Sequence, residues 1–138
     1  NSVVFEPDQS GTLQWSSYMY ATAQDWARLG PLYLDNGRVG DAQIIPPNWL
    51  TYVGTPTVDW YGSGFWLNIE GLPSDTVAMQ GFQGQHGFVI PSEDLVIVRM
   101  GATLGMESGA PEFGAAVIAA KRDTSDLEAP AEAQTAEG

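Results

Sequence analysis

Apolar positions recur along the chain at two different periods. In the first third, Trp26, Leu29, Gly30 and Tyr33 fall at helical spacing and define one stripe facing a core. Thr22-Ala23-Gln24-Asp25 reads as a variant capping box, with Thr22 as N-cap and Asp25 three residues on. Pro31 should kink or shorten this helix, because it brings no amide donor and its ring crowds the carbonyl four residues back. Asp35-Asn36-Gly37 should stop it, with Gly37 in the left-handed C-terminal position. A short helix is expected from about residue 47, where Pro46-Pro47 lead into Asn48-Trp49-Leu50-Thr51-Tyr52-Val53. Residues 1–20 read as irregular, with a turn at Pro7, Asp8, Ser10 and Gly11, and Pro56 and Asp59 mark a loop.

From Trp60 the period shortens. Residues 61–68, 76–80, 85–90 and 95–100 read as four strands, separated by turn residues at 71–75 and 91–94. Turns this short make the strands antiparallel. Leu95-Val96-Ile97-Val98 is apolar on both faces and is expected at the centre of the sheet. Phe113, Ala116, Val117 and Ala120 then give an amphipathic helix over 111–122, with Lys121 and Arg122 complementing the dipole at its end. The fold class is α+β, antiparallel strands flanked by helices. One terminal helix cannot cover two sheet faces, so further cover is expected from a portion preceding this chain. The organisation is then residues 1–55 as the end of a helical region with connecting loops, 56–122 as strands plus the last helix, and 123–138 as a tail.

Charge sharpens that division. The 138 residues carry 17 acids against five bases, a net −12. Asp123, Asp126, Glu128, Glu132 and Glu137 put −5 on the tail, leaving −7 for residues 1–122. With Leu127 as its one large aliphatic residue, the tail is expected to be disordered, with an acidic interaction arm as the functional alternative. Five cations on so acidic a chain argue against nucleic acid and against an anionic membrane surface as partners. No cysteine is present, which excludes disulfides, thiolate nucleophiles and Cys-ligated zinc.

The chemistry-bearing residues are few. His86 is the single histidine, and in a strand it reads as a structural residue; a catalytic triad would need a serine and an orienting carboxylate beside it. Gly62-Ser63-Gly64 lacks the Gly-x-Ser-x-Gly spacing of a nucleophile elbow, because Tyr61 stands where the first glycine should be. Scattered carboxylates and one histidine have no metal-ligand spacing, no phosphate loop occurs, and no cofactor is implied. Gly81-Phe82-Gln83-Gly84-Gln85 sets glycines and amides between two strands, either as a bulge or tight bend or as backbone donors facing a ligand.

Several segments, taken in order, resemble the serine hydrolases of the β-lactamase/penicillin-binding-protein superfamily, in particular the class C β-lactamase-like branch with family VIII esterases and 6-aminohexanoate-dimer hydrolase. They are Tyr20-Ala21-Thr22-Ala23-Gln24-Asp25-Trp26-Ala27-Arg28-Leu29-Gly30, Leu32-Tyr33-Leu34-Asp35-Asn36-Gly37, Ile44-Ile45-Pro46 with Trp49, Tyr61-Gly62-Ser63-Gly64-Phe65-Trp66, Gly81-Phe82-Gln83-Gly84-Gln85, and Val89-Ile90-Pro91 through Arg99. The resemblance spans about residues 5–120. It implies the C-terminal part of a β-lactamase/transpeptidase-like fold, in which two strands and a helix bearing Ser-x-x-Lys come first, a helical region with a Tyr-x-Asn-type motif follows, and three strands and a helix close the sheet.

Neither motif is in this chain: the one lysine, Lys121, has Ile118 three residues before it. The resemblance therefore implies a nucleophile on a missing N-terminal portion of the same protein, acting on a small-molecule ester or amide through an acyl-enzyme, with this chain alone inactive. The family's Lys-Thr/Ser-Gly strand falls near Met79-Gln80-Gly81. The amide of Phe82 matches the oxyanion donor best, ahead of Gln80; such a donor contributes roughly 3 kcal/mol to the transition state. Met79, Gln80, Gly81 and Gln85 are the implied substrate-side residues, Gln85 steadying the turn. Met79 stands in place of the family's lysine, which favours neutral esters or amides over β-lactams. It also leaves open a β-lactamase-fold binding or cell-envelope protein without catalysis.

Overall fold

A computed structural model describes residues 2–14, 16–104 and 107–128. A small antiparallel pair, β1 (Val4–Phe5) with β2 (Met19–Tyr20), precedes two helices, α1 (Ala23–Ala27) and α2 (Leu29–Leu34). A hairpin of β3 (Arg38–Val39) and β4 (Ala42–Gln43) leads to α3 (Trp49–Val53). Then come β5 (Pro56–Val58), β6 (Tyr61–Gly62), β7 (Phe65–Trp66), β8 (Val77–Gly81), β9 (Gln85–Ile90), a 3₁₀ turn at Pro91–Glu93, β10 (Leu95–Arg99) and α4 (Ala110–Glu128). The last six strands form one antiparallel sheet in the order β10-β9-β8-β7-β6-β5. The chain is an α+β protein.

The first helix begins where its caps put it. The Thr22 hydroxyl accepts from the Asp25 amide at 3.3 Å, while the Asp25 carboxylate takes the Ser2 amide and hydroxyl, each at 2.6 Å. The reciprocal arm of the expected capping box is replaced: the Ser2 hydroxyl, and not Asp25, accepts from the Thr22 amide, at 2.8 Å. The helical stretch breaks at Arg28, between α1 and α2. Pro31 explains this: its missing donor and its ring both fall on the carbonyl of Ala27. Gly37 takes φ 82° just after α2 and donates to the Leu32 carbonyl.

The sheet is covered on both faces. On one, Ala78, Phe88, Ile90 and Ile97 are buried against Ala110 and Ile118 of α4. On the other, Val77, Val89, Phe65 and Leu67 are buried with Val53, and Tyr33, Leu34, Trp49 and Leu50 of the helices pack over them. Each fully buried Val, Ile or Phe side chain contributes about 1.5–3 kcal/mol relative to exposure. The expected shortage of cover is therefore not found, because α1 to α3 fold back onto the second face. The closest approach is at Gly30, where a Cβ would sit 2.1 Å from Val96 Cγ2, so α2 lies directly on β10.

Several sequence expectations need correction. β10 is an edge strand of this sheet. It is apolar on both faces because Ile97 faces α4 while Val96 meets Gly30. The expected strand at 61–68 is a hairpin, β6 and β7, turned at Ser63-Gly64 with Gly64 at φ 93°. It is clasped by an aromatic group in which Trp60 stacks on Trp66 with ring centroids 5.2 Å apart and Tyr61 meets Trp66 edge-on. Residues 56–58, expected as loop, pair with β6, and the pairs β1–β2 and β3–β4 have no counterpart in the sequence pattern.

The seam of α4 is Ala110, Gly114, Val117 and Ile118, whereas Phe113 is 46% exposed and Ala116 and Ala120 turn away from the core. Gly114 decides the rotation: its bare Cα lets Leu72 and Phe88 close in. The helix also runs past 122 to Glu128, so Lys121 and Arg122 do not terminate it; they bind the Glu93 carbonyl and carboxylate. Residues 123–128, assigned above to a disordered tail, are thus helical; 129–138 lie outside the described residues.

Two measurements test these contacts. Gly30→Ala should cost about 1–3 kcal/mol in denaturant unfolding through overpacking, and Val96→Ala in the same chain should recover part of it. Recovery by Val96→Ala should be absent if the two residues do not touch. Asp25 is held at about 2, below 3.8, by the Ser2 hydroxyl and amide and then by Arg28. A depressed carboxylate adds stability that is complete above the unfolded value and lost as pH falls from 3.8 toward about 2. Asp25→Asn should lower the neutral-pH Tm and flatten its fall across that window; parallel acid curves for the two proteins would count against the cap.

Candidate functional site

The α4 side of the sheet stays apolar until its last cross-strand row. Ala78, Phe88 and Ile97 align across β8, β9 and β10, all buried. Two residues along each strand, the aligned row is Gln80, His86 and Arg99. Side chains alternate faces with period two, so this polar row continues the same face. It lies where α4 begins, and there a groove of about 480 Å³ opens, lined by Gln80, Gly81, Phe82, Gln83, Gly84, His86, Thr103, Leu104 and Ser108.

The groove walls are tied together. The tip between β8 and β9 turns through Gln83 (φ 58°) and Gly84 (φ 81°). Arg99 donates to the Gly84 carbonyl and, at 2.8 Å, to Thr103 Oγ1. The Thr103 amide donates to the Gln83 carbonyl at 3.0 Å. Gln85 clamps the same two segments, donating to the Gly101 carbonyl and accepting from its amide at 3.0 Å. A Cβ at Gly84 would fall 2.5 Å from Arg99 Nη1 and 3.0 Å from Ser108 Cβ, so glycine alone fits this turn.

The sequence-expected residues do not all meet. Gln80, Gly81 and Phe82 line the groove. Phe82 has 86% of its surface exposed, and its amide finds no acceptor among the described residues. Met79 points to the opposite face, packed with Val77, Val89 and Gly87. Gln85 is spent on the Gly101 clamp. With Met79 turned away, the strand presents the neutral amide of Gln80 to the groove.

Sequence reading missed Ser108. Its hydroxyl lies 2.9 Å from His86 Nε2 and accepts from the Ala110 amide at 3.3 Å. The one signal available was Ser108-Gly109 immediately before a helix, a capping pair. His86 also stacks on Phe88, with centroids 5.5 Å apart. Its Nδ1 is buried with no polar partner among the described residues. Burial, and then the nearby Arg99 guanidinium, push the His86 pKa below its usual 6.5, which favours the neutral ring. Among the described residues, no three His, Asp or Glu side chains converge as metal ligands.

Comparison with known proteins adds no family: no family model matches the chain, and no curated protein matches it.

The lone histidine makes its own test direct. Its imidazole resonances should titrate in NMR with a midpoint below 6.5, and Arg99→Ala should raise that midpoint. A midpoint at or above 6.5 in the native protein would contradict the described packing.

Proposed function

We propose that this chain forms one wall of the acyl-transfer site of a serine hydrolase acting on esters or small neutral amides, with the nucleophile of a Ser-x-x-Lys motif supplied by a segment that precedes it. The observation that carries this reading is the tip at Gly81–Gly84. There Phe82 sits on a groove with an unused amide, and backbone donors of this kind stabilise the oxyanion of an acyl-transfer transition state. Two further features support it. β8, β9, β10 and α4 run in the order of the closing strands and helix of the superfamily that the sequence resembles. β10 has its second edge free of strand pairing among the described residues, so a preceding strand has a place to add. The neutral groove wall at Gln80, with Met79 turned into the core, supports uncharged substrates.

The test uses the longer protein that joins this chain to such a segment. Hydrolysis of p-nitrophenyl acetate and butyrate should fall to background when the Ser-x-x-Lys serine becomes alanine. Phe82→Pro, which removes the amide hydrogen, should lower kcat by roughly 10²–10³. Equal rates for the parent and its serine variant would overturn the reading and leave a binding or cell-envelope role for the same fold.

A further inference from the structure

The groove holds a hydroxyl and an imidazole in contact within this chain itself, independently of any preceding segment. Ser108 stands at the entry to α4 and His86 on β9, 22 positions apart, and their polar atoms meet at 2.9 Å. Both side chains are half-buried and both line the groove. The Ser108 hydroxyl already accepts from the Ala110 amide, which leaves its own proton free to be given to the ring. In its neutral form with the proton on Nδ1, the ring has a lone pair on Nε2 to receive it. Beside the pair the groove presents two exposed apolar side chains, Phe82 and Leu104, which are 86% and 90% exposed and offer contact to a short acyl chain.

We propose that Ser108 and His86 are a nucleophile–base pair, and that the groove takes an activated ester with a short apolar acyl group as acyl donor to Ser108 Oγ. In the step, Ser108 Oγ bonds to the ester carbonyl carbon while its proton moves to His86 Nε2. The carbon–oxygen bond to the leaving alcohol then breaks, and the same proton passes from His86 to that oxygen. Water, deprotonated by His86, later releases the acid and restores the serine. No carboxylate faces Nδ1 among the described residues, so the imidazolium lacks the partner that a triad gives it. Loss of that partner costs triad enzymes about 10⁴ in rate, so acylation by a strong electrophile is the measurable event.

The experiment treats this chain, without any preceding segment, with a fluorophosphonate probe and with p-nitrophenyl acetate, and maps adducts by mass spectrometry. Ser108 should be labelled ahead of Ser63, Ser74 and Ser92, Ser108→Ala should remove the adduct, and His86→Gln should slow it by about a hundredfold. Far-UV circular dichroism shows whether each variant has folded. Should His86→Gln unfold, Ser108→Cys serves instead: His86 should draw the introduced thiol toward the thiolate, so that iodoacetamide reacts with it at a lower pH than with the exposed thiol of Ser74→Cys. Labelling spread equally over the serines, unchanged labelling in folded His86→Gln, or a Ser108→Cys thiol no more reactive than that of Ser74→Cys would each overturn the proposal. The Ser-x-x-Lys reading is judged separately, by steady-state hydrolysis in the longer protein with Ser108→Ala present in both the parent and its Ser-x-x-Lys serine variant.

Discussion

The contact of Gly30 with Val96 is the constraint on which the arrangement rests. With no side chain at residue 30, α2 can settle onto β10 at a distance that even a methyl group would forbid. That closeness brings Tyr33 and Leu34 over Phe65 and Val89, with the Tyr33 and Phe65 rings meeting edge-on at 5.4 Å. The sheet is thereby enclosed from two sides, and Phe88 and Val89, neighbours in sequence, are both fully buried in different cores.

Enclosure on both faces also sets where the groove can form. The apolar rows end where the helices end, and at that margin β8, β9 and β10 switch from Ala78, Phe88 and Ile97 to Gln80, His86 and Arg99. A polar row in the middle of the sheet would carry a desolvation cost with no partner groups; at the margin it meets loop carbonyls and hydroxyls. Arg99 is the pivot of this margin, since one guanidinium holds the carbonyl of one segment and the hydroxyl of another. With Gln85 bonded to both polar atoms of Gly101, the two segments form one wall.

Legibility followed the range of the interaction. Thr22 and Gly37 act within a few residues of themselves and sit where local capping chemistry puts them, whereas the carboxylate of Asp25 is taken by Ser2, 23 positions away. The three long strands were readable from their apolar runs and from their turns. Where partners are distant, pattern failed. The apolar run of β10 looked central because nothing local reveals that its second face is filled by a helix from the first third of the chain. The rotation of α4 depended on how closely Leu72 and Phe88 approach Gly114, and a stripe counted along the helix alone missed it by about one residue. At the groove, the glycine-rich tip stood out, but Ser108 did not, since its pairing with His86 exists only once α4 docks on β9.

The β6–β7 hairpin has two residues in each strand, too few for ladder bonds to hold it by themselves. Its closure leans on Trp60 and Trp66, whose planes are within 26° of parallel. Two indoles at that separation share their electronic excitation and behave as one coupled chromophore. The molecule thus carries an optical signature written by a single hairpin, which lets the opening of that corner be followed apart from the unfolding of the sheet it is attached to.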